Sequence, residues 1–117
     1  MGHEKIQVGR RAEKMALSFL TMDGYSLIKR NYRNKRSEID LIVSKASWLV
    51  FVEVKFRANL SYGQGFESLS IKQEKMIKDG ADAFLNEYPW SGPIRFDIIS
   101  IYPKRVGYDI THIEDAF

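Results

Sequence analysis

Glu38-Ile39-Asp40-Leu41-Ile42-Val43-Ser44-Lys45-Ala46-Ser47-Trp48-Leu49-Val50-Phe51-Val52-Glu53-Val54-Lys55-Phe56-Arg57 contains two runs rich in Ile, Val, Leu and Phe, parted by a short polar break. Such runs favour strands, so Glu38 to Ser44 and Trp48 to Arg57 are predicted to form a central hairpin. Apolar residues occupy both faces over part of each run, which places the hairpin in the middle of a sheet covered on both sides. Glu53 and Lys55 are two apart, so their side chains leave the same face with Cα atoms about 6 to 7 Å apart. Asp40 comes from the neighbouring strand. A turn of two or four loop residues around Lys45-Ala46-Ser47 puts Asp40 on the face of Glu53 and Lys55, whereas three loop residues reverse it unless a bulge corrects the register.

Charged groups at the end of apolar strands are costly unless paired or bound to a cation. Two readings follow. In one, Lys55 neutralises Asp40 and Glu53 in a purely structural salt-bridge cluster. In the other, Asp40, Glu53 and the Val54 backbone carbonyl offer hard oxygen ligands to Mg²⁺ or a similar ion. Such an ion would polarise a phosphodiester and acidify its bound water, with Lys55 orienting that water or steadying developing charge.

Outward from the hairpin, Val8, Ala12, Met15, Ala16, Phe19 and Leu20 recur at helical spacing. They predict a helix from about residue 5 to 22, ended by Asp23-Gly24. Glu13 falls beside this apolar stripe, where a carboxylate needs a partner. Tyr25 to Tyr32 reads as a strand leading into a basic loop, since Lys29, Arg30, Arg33, Lys35 and Arg36 crowd around Tyr32. Ser70-Ile71-Lys72-Gln73 matches a capping box and starts a second helix whose apolar face is Ile77, Ala81, Phe84 and Tyr88. Pro89 and Gly92-Pro93 stop it. Arg95 to Ile101 and Tyr108 to Ile113 are two further strands. The predicted order is αβββαββ, with Gly63 and Gly65 marking a mobile loop and no internal repeat.

The chain has 117 residues, 44% hydrophobic, 13% aromatic and 28% charged, which suits one globular domain over 1–117 and excludes a disordered or low-complexity chain. It has no cysteine, which excludes disulfides, thiolate zinc sites and a cysteine nucleophile. His3 and His112 stand at opposite ends, so any metal would rely on oxygen ligands. No apolar run approaches a bilayer span and the amino terminus lacks a signal-like stretch, so a cytoplasmic protein with no membrane role is expected. The net charge is +3, with 12 basic and 6 acidic residues in 1–57 against 6 and 9 in 58–117. A basic first half suits a phosphate-rich partner, although a solvated, solubilising segment has the same composition.

Gly9 and Glu13 in the first helix, Arg30-Asn31-Tyr32-Arg33, Glu38-Ile39-Asp40-Leu41-Ile42, Phe51-Val52-Glu53-Val54-Lys55-Phe56-Arg57, Lys72-Gln73 and Arg95-Phe96-Asp97 together resemble the bacterial YraN family over about residues 9 to 101. That family is similar to the PD-(D/E)XK nucleases and, among them, to archaeal-type Holliday junction resolvases. The resemblance implies an α/β, restriction-endonuclease-like mixed central sheet flanked by helices. It also implies a metal-dependent endonuclease acting on DNA, duplex or branched, with Mg²⁺ or Mn²⁺ as cofactor. Asp40 matches the metal-binding Asp, Glu53 the second acid, Lys55 the motif lysine and Glu13 the helix Glu that helps hold the metal. Lys72 and Gln73 match polar residues facing the phosphate, and Glu38 matches the Glu before Ile-Asp, with either a metal or a hydrogen-bonding role. Ser37 stands where the family usually has Gly.

Arg30, Arg33, Lys35, Arg36 and Arg57, together with Lys72 and Gln73, are the expected nucleic-acid contacts. Tyr62, Gly63 and Gln64 follow the motif strand in a loop that could track a backbone. Arg95 and Asp97 read as a structural ion pair, Trp48, Trp90 and Tyr88 as packing, His112 as no ligand, and Glu114-Asp115 as solvated. Symmetric cutting of two strands would need a homodimer, because one small domain presents one site. The alternative to an enzyme is a binding module that keeps the fold and contacts nucleic acid or a repair partner without turnover.

Overall fold

The computed structural model describes residues 2–57 and 69–117, with side chains from residue 8 onward. The order is α1 (Gly2–Met22), β1 (Ser26–Asn34), β2 (Ser37–Lys45), β3 (Trp48–Phe56), α2 (Ile71–Glu87), β4 (Ile94–Pro103) and β5 (Tyr108–Ile113), the predicted αβββαββ. The strands form one mixed sheet in the order β1-β2-β3-β4-β5. Neighbours are antiparallel except β3 and β4, which run parallel because α2 carries the chain between them.

Each face of the sheet carries a helix and its own core. Ala12, Ala16 and Leu20 of α1 pack on Leu41, Val43, Val50, Val52, Ile99 and Ile101, all buried. Ile77, Ala81 and Phe84 of α2 cover Ile42, Leu49 and Phe51 on the other face, with Tyr32 and Ile39. Coverage on both sides explains the near-continuous apolar runs of the central strands. Gly80 lets α2 come close to β2, since a Cβ there would lie 3.0 Å from the Ser37 Cβ.

The local signals have local causes. Gly24, at φ +92°, closes α1 while the Tyr25 amide bonds the Leu20 carbonyl at 3.0 Å. At α2, the Gln73 amide donates to the Ser70 hydroxyl at 3.1 Å and the Ser70 amide to the Gln73 side chain at 3.1 Å, which is the capping box.

Two expectations need correction. The basic loop is shorter than expected: Arg33 joins Lys29 and Arg30 in β1, and only Lys35 and Arg36 form the turn to β2. An edge strand accepts exposed charges, which also deter pairing with other chains. Val8 is 45% exposed and Tyr88, the α2 C-cap, is 53% exposed, so the buried stripes of both helices are shorter than the spacing suggested. The expected mobile loop with Tyr62, Gly63, Gln64 and Gly65 lies outside the described residues.

Candidate metal and nucleic-acid site

The hairpin turn has two loop residues, because Lys45 pairs with Trp48, and this register carries Leu41 opposite Val52. There the β2–β3 ladder ends. Beyond it β2 stays paired only with β1, through Tyr32 opposite Ile39, and β3 only with β4, through Glu53 opposite Ile98. The two central strands diverge into a fork, and the acids gather in it.

A change of face accompanies the divergence. Leu41 and Val43 pack under α1, yet Ile39 packs under α2, so the alternation of β2 is maintained on one side of Asp40 only after a kink. Opposite Asp40, Asn31 of β1 adopts φ +52°, a conformation that Asn tolerates better than most residues. The kink turns Asp40 into the fork. Its Oδ2 accepts a 2.8 Å hydrogen bond from the Val54 amide. A residue in an extended strand directs its N–H and C=O to the same side, so the Val54 carbonyl also faces the fork.

Asp40 and Glu53 line the same cavity. Burial, then the neighbouring Glu53 carboxyl, push the Asp40 carboxyl up to about 8, while the Val54 amide pulls the other way. Lys55 Nζ lies 3.8 Å from Glu53 Oε2, both side chains being less than a fifth exposed, at 19% and 18%. A cavity of about 260 Å³ over the pair is lined by Arg36, Glu38, Asp40, Glu53 and, from α2, Gln73 and Ile77. The start of α2 thus stands over the acids.

Glu13 approaches from α1. Burial and the Asp40 charge raise its carboxyl above the ordinary range, a hydrogen bond with Asn31 opposes this, and Glu38 and Arg30 act more weakly. Glu38 is exposed at the rim and pairs with Arg33 at 3.3 Å. Among the described residues, no three His, Asp or Glu side chains are grouped as metal ligands, so Glu13 and Glu38 remain near the Asp40–Glu53 pair without joining it. The donor set of two carboxylates and one carbonyl still fits a hard cation that keeps several waters, as Mg²⁺ does.

The expected nucleic-acid contacts divide into groups. Lys35, Arg36 and Lys72 line a cavity of about 790 Å³ between the β1–β2 turn and α2. Gln73 faces the acids, and Arg30 and Arg33 project from the β1 edge. Arg57 follows β3, its amide bonded to the Ile101 carbonyl at 2.9 Å. Asn31 and Lys75 were missed from sequence. Asn at a strand kink is a recognisable signal, whereas Lys75 becomes notable only once α2 is placed against the turn.

A second polar cluster lies on the other side of β3, where Asp97 of β4 stands level with Val52. Arg95 Nε and Nη2 each donate to Asp97 at 2.8 Å, in agreement with the expected ion pair. His112 Nε2 lies 2.6 Å from Asp97 Oδ2, and the Asp115 amide donates at 3.0 Å. Glu114 is exposed but not merely solvated, since it pairs with Arg95 at 3.1 Å.

No helix among the described residues is long and apolar enough to cross a membrane. Among solved structures, Pyrococcus furiosus SfsA in complex with Ca²⁺ aligns with TM-score 0.41 and 19% identity, over 93% of this chain and 63% of that one. A UPF0102 protein of Chloroherpeton thalassium is 40% identical over 96% of this chain and 94% of its own length. One from Prosthecochloris aestuarii is 41% identical over 94% and 92% respectively. A relative in Desulforapulum autotrophicum is 37% identical over 100% and 98%. The profile described as uncharacterised protein family UPF0102 matches residues 12–101, and the chain belongs to this YraN-like family.

Proposed function

We propose that the fork holds Mg²⁺ or Mn²⁺ and that the protein is a metal-dependent endonuclease acting on DNA, structured or branched DNA included. The observation that carries this reading is the Asp40–Glu53 pair: two carboxyl groups line one small cavity in a half-buried fork beside the Val54 backbone, and the Asp40 carboxyl is raised to about 8. A bound divalent ion would relieve that repulsion, with Asp40, Glu53 and the Val54 carbonyl as its ligands. When bound, it supplies polarisation of the phosphodiester and a more acidic water. Lys55 then orients the water or steadies charge developing on the phosphate oxygens, and Gln73 hydrogen-bonds a phosphate oxygen from the start of α2. Arg36 at the rim favours the polyanion. Two-strand cutting would require a second copy of the chain.

A second reading, a nucleic-acid-binding module without turnover, is favoured by the grouping of two rather than three acids among the described residues. Cleavage of duplex, single-stranded and four-way DNA in Mg²⁺ and Mn²⁺ separates the two. The enzyme reading expects cutting that falls by about a thousandfold or more in both Asp40→Ala and Glu53→Ala. Activity retained in both variants would rule it out, and binding with no cutting in either metal would favour the module.

A further inference from the structure

We propose that the cleft between the β1–β2 turn and α2 is a track for single-stranded DNA leading away from the fork, so that the preferred substrate is a duplex with a single-stranded arm. This rests on the reading of the fork as a DNA site and adds which part of the substrate the protein grips beside it. The cleft, of about 790 Å³, and the cavity over Asp40 and Glu53 share Arg36 and Met76 as lining, so one leads into the other.

The charges along the cleft are ordered. Lys35 and Arg36 from the turn and Lys72 and Lys75 from α2 line it, as do Asp79 and Asp82 further along the helix. Among the described residues, Lys35, Arg36 and Lys72 have no carboxylate within ion-pair distance; Lys75 pairs with Asp79 at 3.0 Å, an exposed contact that competing phosphates can replace. Two basic groups on each wall match one phosphate backbone passing between them, and the acids repel its continuation, giving the track a definite end. A cleft of about 790 Å³ bounded by one helix and one two-residue turn is on the scale of a single strand. The exposed cations of the β1 edge, Lys29 and Arg30, remain for the duplex.

The test is direct binding without divalent ions, which keeps it independent of cleavage. Probes are a single-stranded oligodeoxynucleotide, a blunt duplex and the same duplex carrying one single-stranded tail. Wild-type protein should bind the tailed duplex more tightly than the blunt one. The double variant Lys72→Glu, Lys75→Glu should lose about tenfold or more on the tailed and single-stranded probes, and about twofold or less on the blunt duplex. Its salt slope on the single strand should fall by about 1.4, corresponding to about 0.7 for each of two phosphate contacts.

Equal losses on blunt and tailed duplex, or no loss on either, would overturn the track. A separate variant, Asp79→Asn with Asp82→Asn, should tighten single-strand binding about twofold, which disruption of the helix would not do; unchanged or weaker binding overturns the assigned end. Should cleavage fail while these binding results hold, the nuclease reading falls and the track remains.

Discussion

Strand β3 has an enclosed carboxyl on each side, one from β4 and one from β2, with opposite electrostatics. On the β4 side, level with Val52, the Asp97 side chain is fully enclosed, at 0% exposure. Burial alone would raise it, but hydrogen bonds from His112, Arg95 and the Asp115 amide outweigh burial and hold it below the ordinary range. A carboxylate only accepts, so the His112 Nε2 facing it carries the proton. On the β2 side, in the fork, Asp40 rises to about 8, first through burial and then through the Glu53 carboxyl, with one amide opposing. Burial raises both acids. The count and sign of the partners decide whether it is outweighed, and they distinguish an acid that ties the sheet together from one that, on the proposed reading, binds a cation.

The largest way to break this contrast is Asp97→Ala. It leaves Arg95 and His112 beneath Tyr25 without their common acceptor, and releases the Asp115 amide that ties the C-terminal residues to β4. A loss of about 3 to 5 kcal/mol in urea unfolding is expected. Asp40→Ala should cost far less in metal-free buffer, because it relieves a carboxyl repulsion while losing one hydrogen bond. A greater loss from Asp40→Ala would show that the fork, too, is a structural ion cluster.

The pH dependence sharpens the same contrast. In the unfolded chain Asp40 ionises near the ordinary value of about 4. In the fold it holds its proton up to about 8. Between these values the folded state binds more protons, so stability should fall as pH rises through that window and level off above it. Without divalent ions, wild-type protein should lose roughly 2 kcal/mol between about pH 5 and about pH 8, a figure kept modest because solvent reaches the fork. Asp40→Asn should be nearly flat over that range, and Mn²⁺ should restore the wild type at the upper end. Asp97 has the reverse sign: its lowered pKa adds stability above the ordinary carboxyl range, which disappears in strong acid. Denaturation midpoints at several pH values, with EDTA and with Mn²⁺, decide the matter, and a flat wild-type curve would remove the basis for the contrast.

What was legible in the sequence follows the range of each interaction. The Ser70–Gln73 capping box and the Gly24 stop act within one helical turn, so they could be placed from residue order. The two-sided burial of β2 and β3 was legible because the apolar pattern records the local environment directly. The face of Asp40 stayed open because it depends on the number of turn residues, and Ala46-Ser47 lacks the Asn-Gly or Asp-Gly signature that would have settled it. The extent of β1 was hidden because an exposed edge strand and a basic loop have similar composition. Arg95 and Asp97 were readable at two residues apart; His112 and Tyr25 join them from β5 and from the start of the sheet, which only packing brings near. Glu13 is intermediate: its spacing showed that it needed a partner, while its approach to Asp40 depends on how α1 crosses the sheet.

The smallest effect tests whether the turn end and the fork end of the β2–β3 hairpin are independent. Ala46 sits at φ +55° in the hairpin turn, where a Cβ is strained, while Gly92 crowds the neighbouring Ser47 carbonyl and Trp90 Nε1 donates to that oxygen at 3.1 Å. Relief of the strain by Ala46→Gly, less the entropy glycine loses on folding, should raise stability by about 0.5 kcal/mol. The turn fixes the register that ends at Leu41 opposite Val52, yet that register is also held by both cores, so the fork should keep its geometry. Calorimetric Mn²⁺ titration of Ala46→Gly should match the wild type while its thermal midpoint rises. A weakened or lost Mn²⁺ signal in this variant would mean that the turn sets the placement of Asp40 from the far end of the hairpin, and the two ends of the hairpin would have to be treated as one cooperative unit.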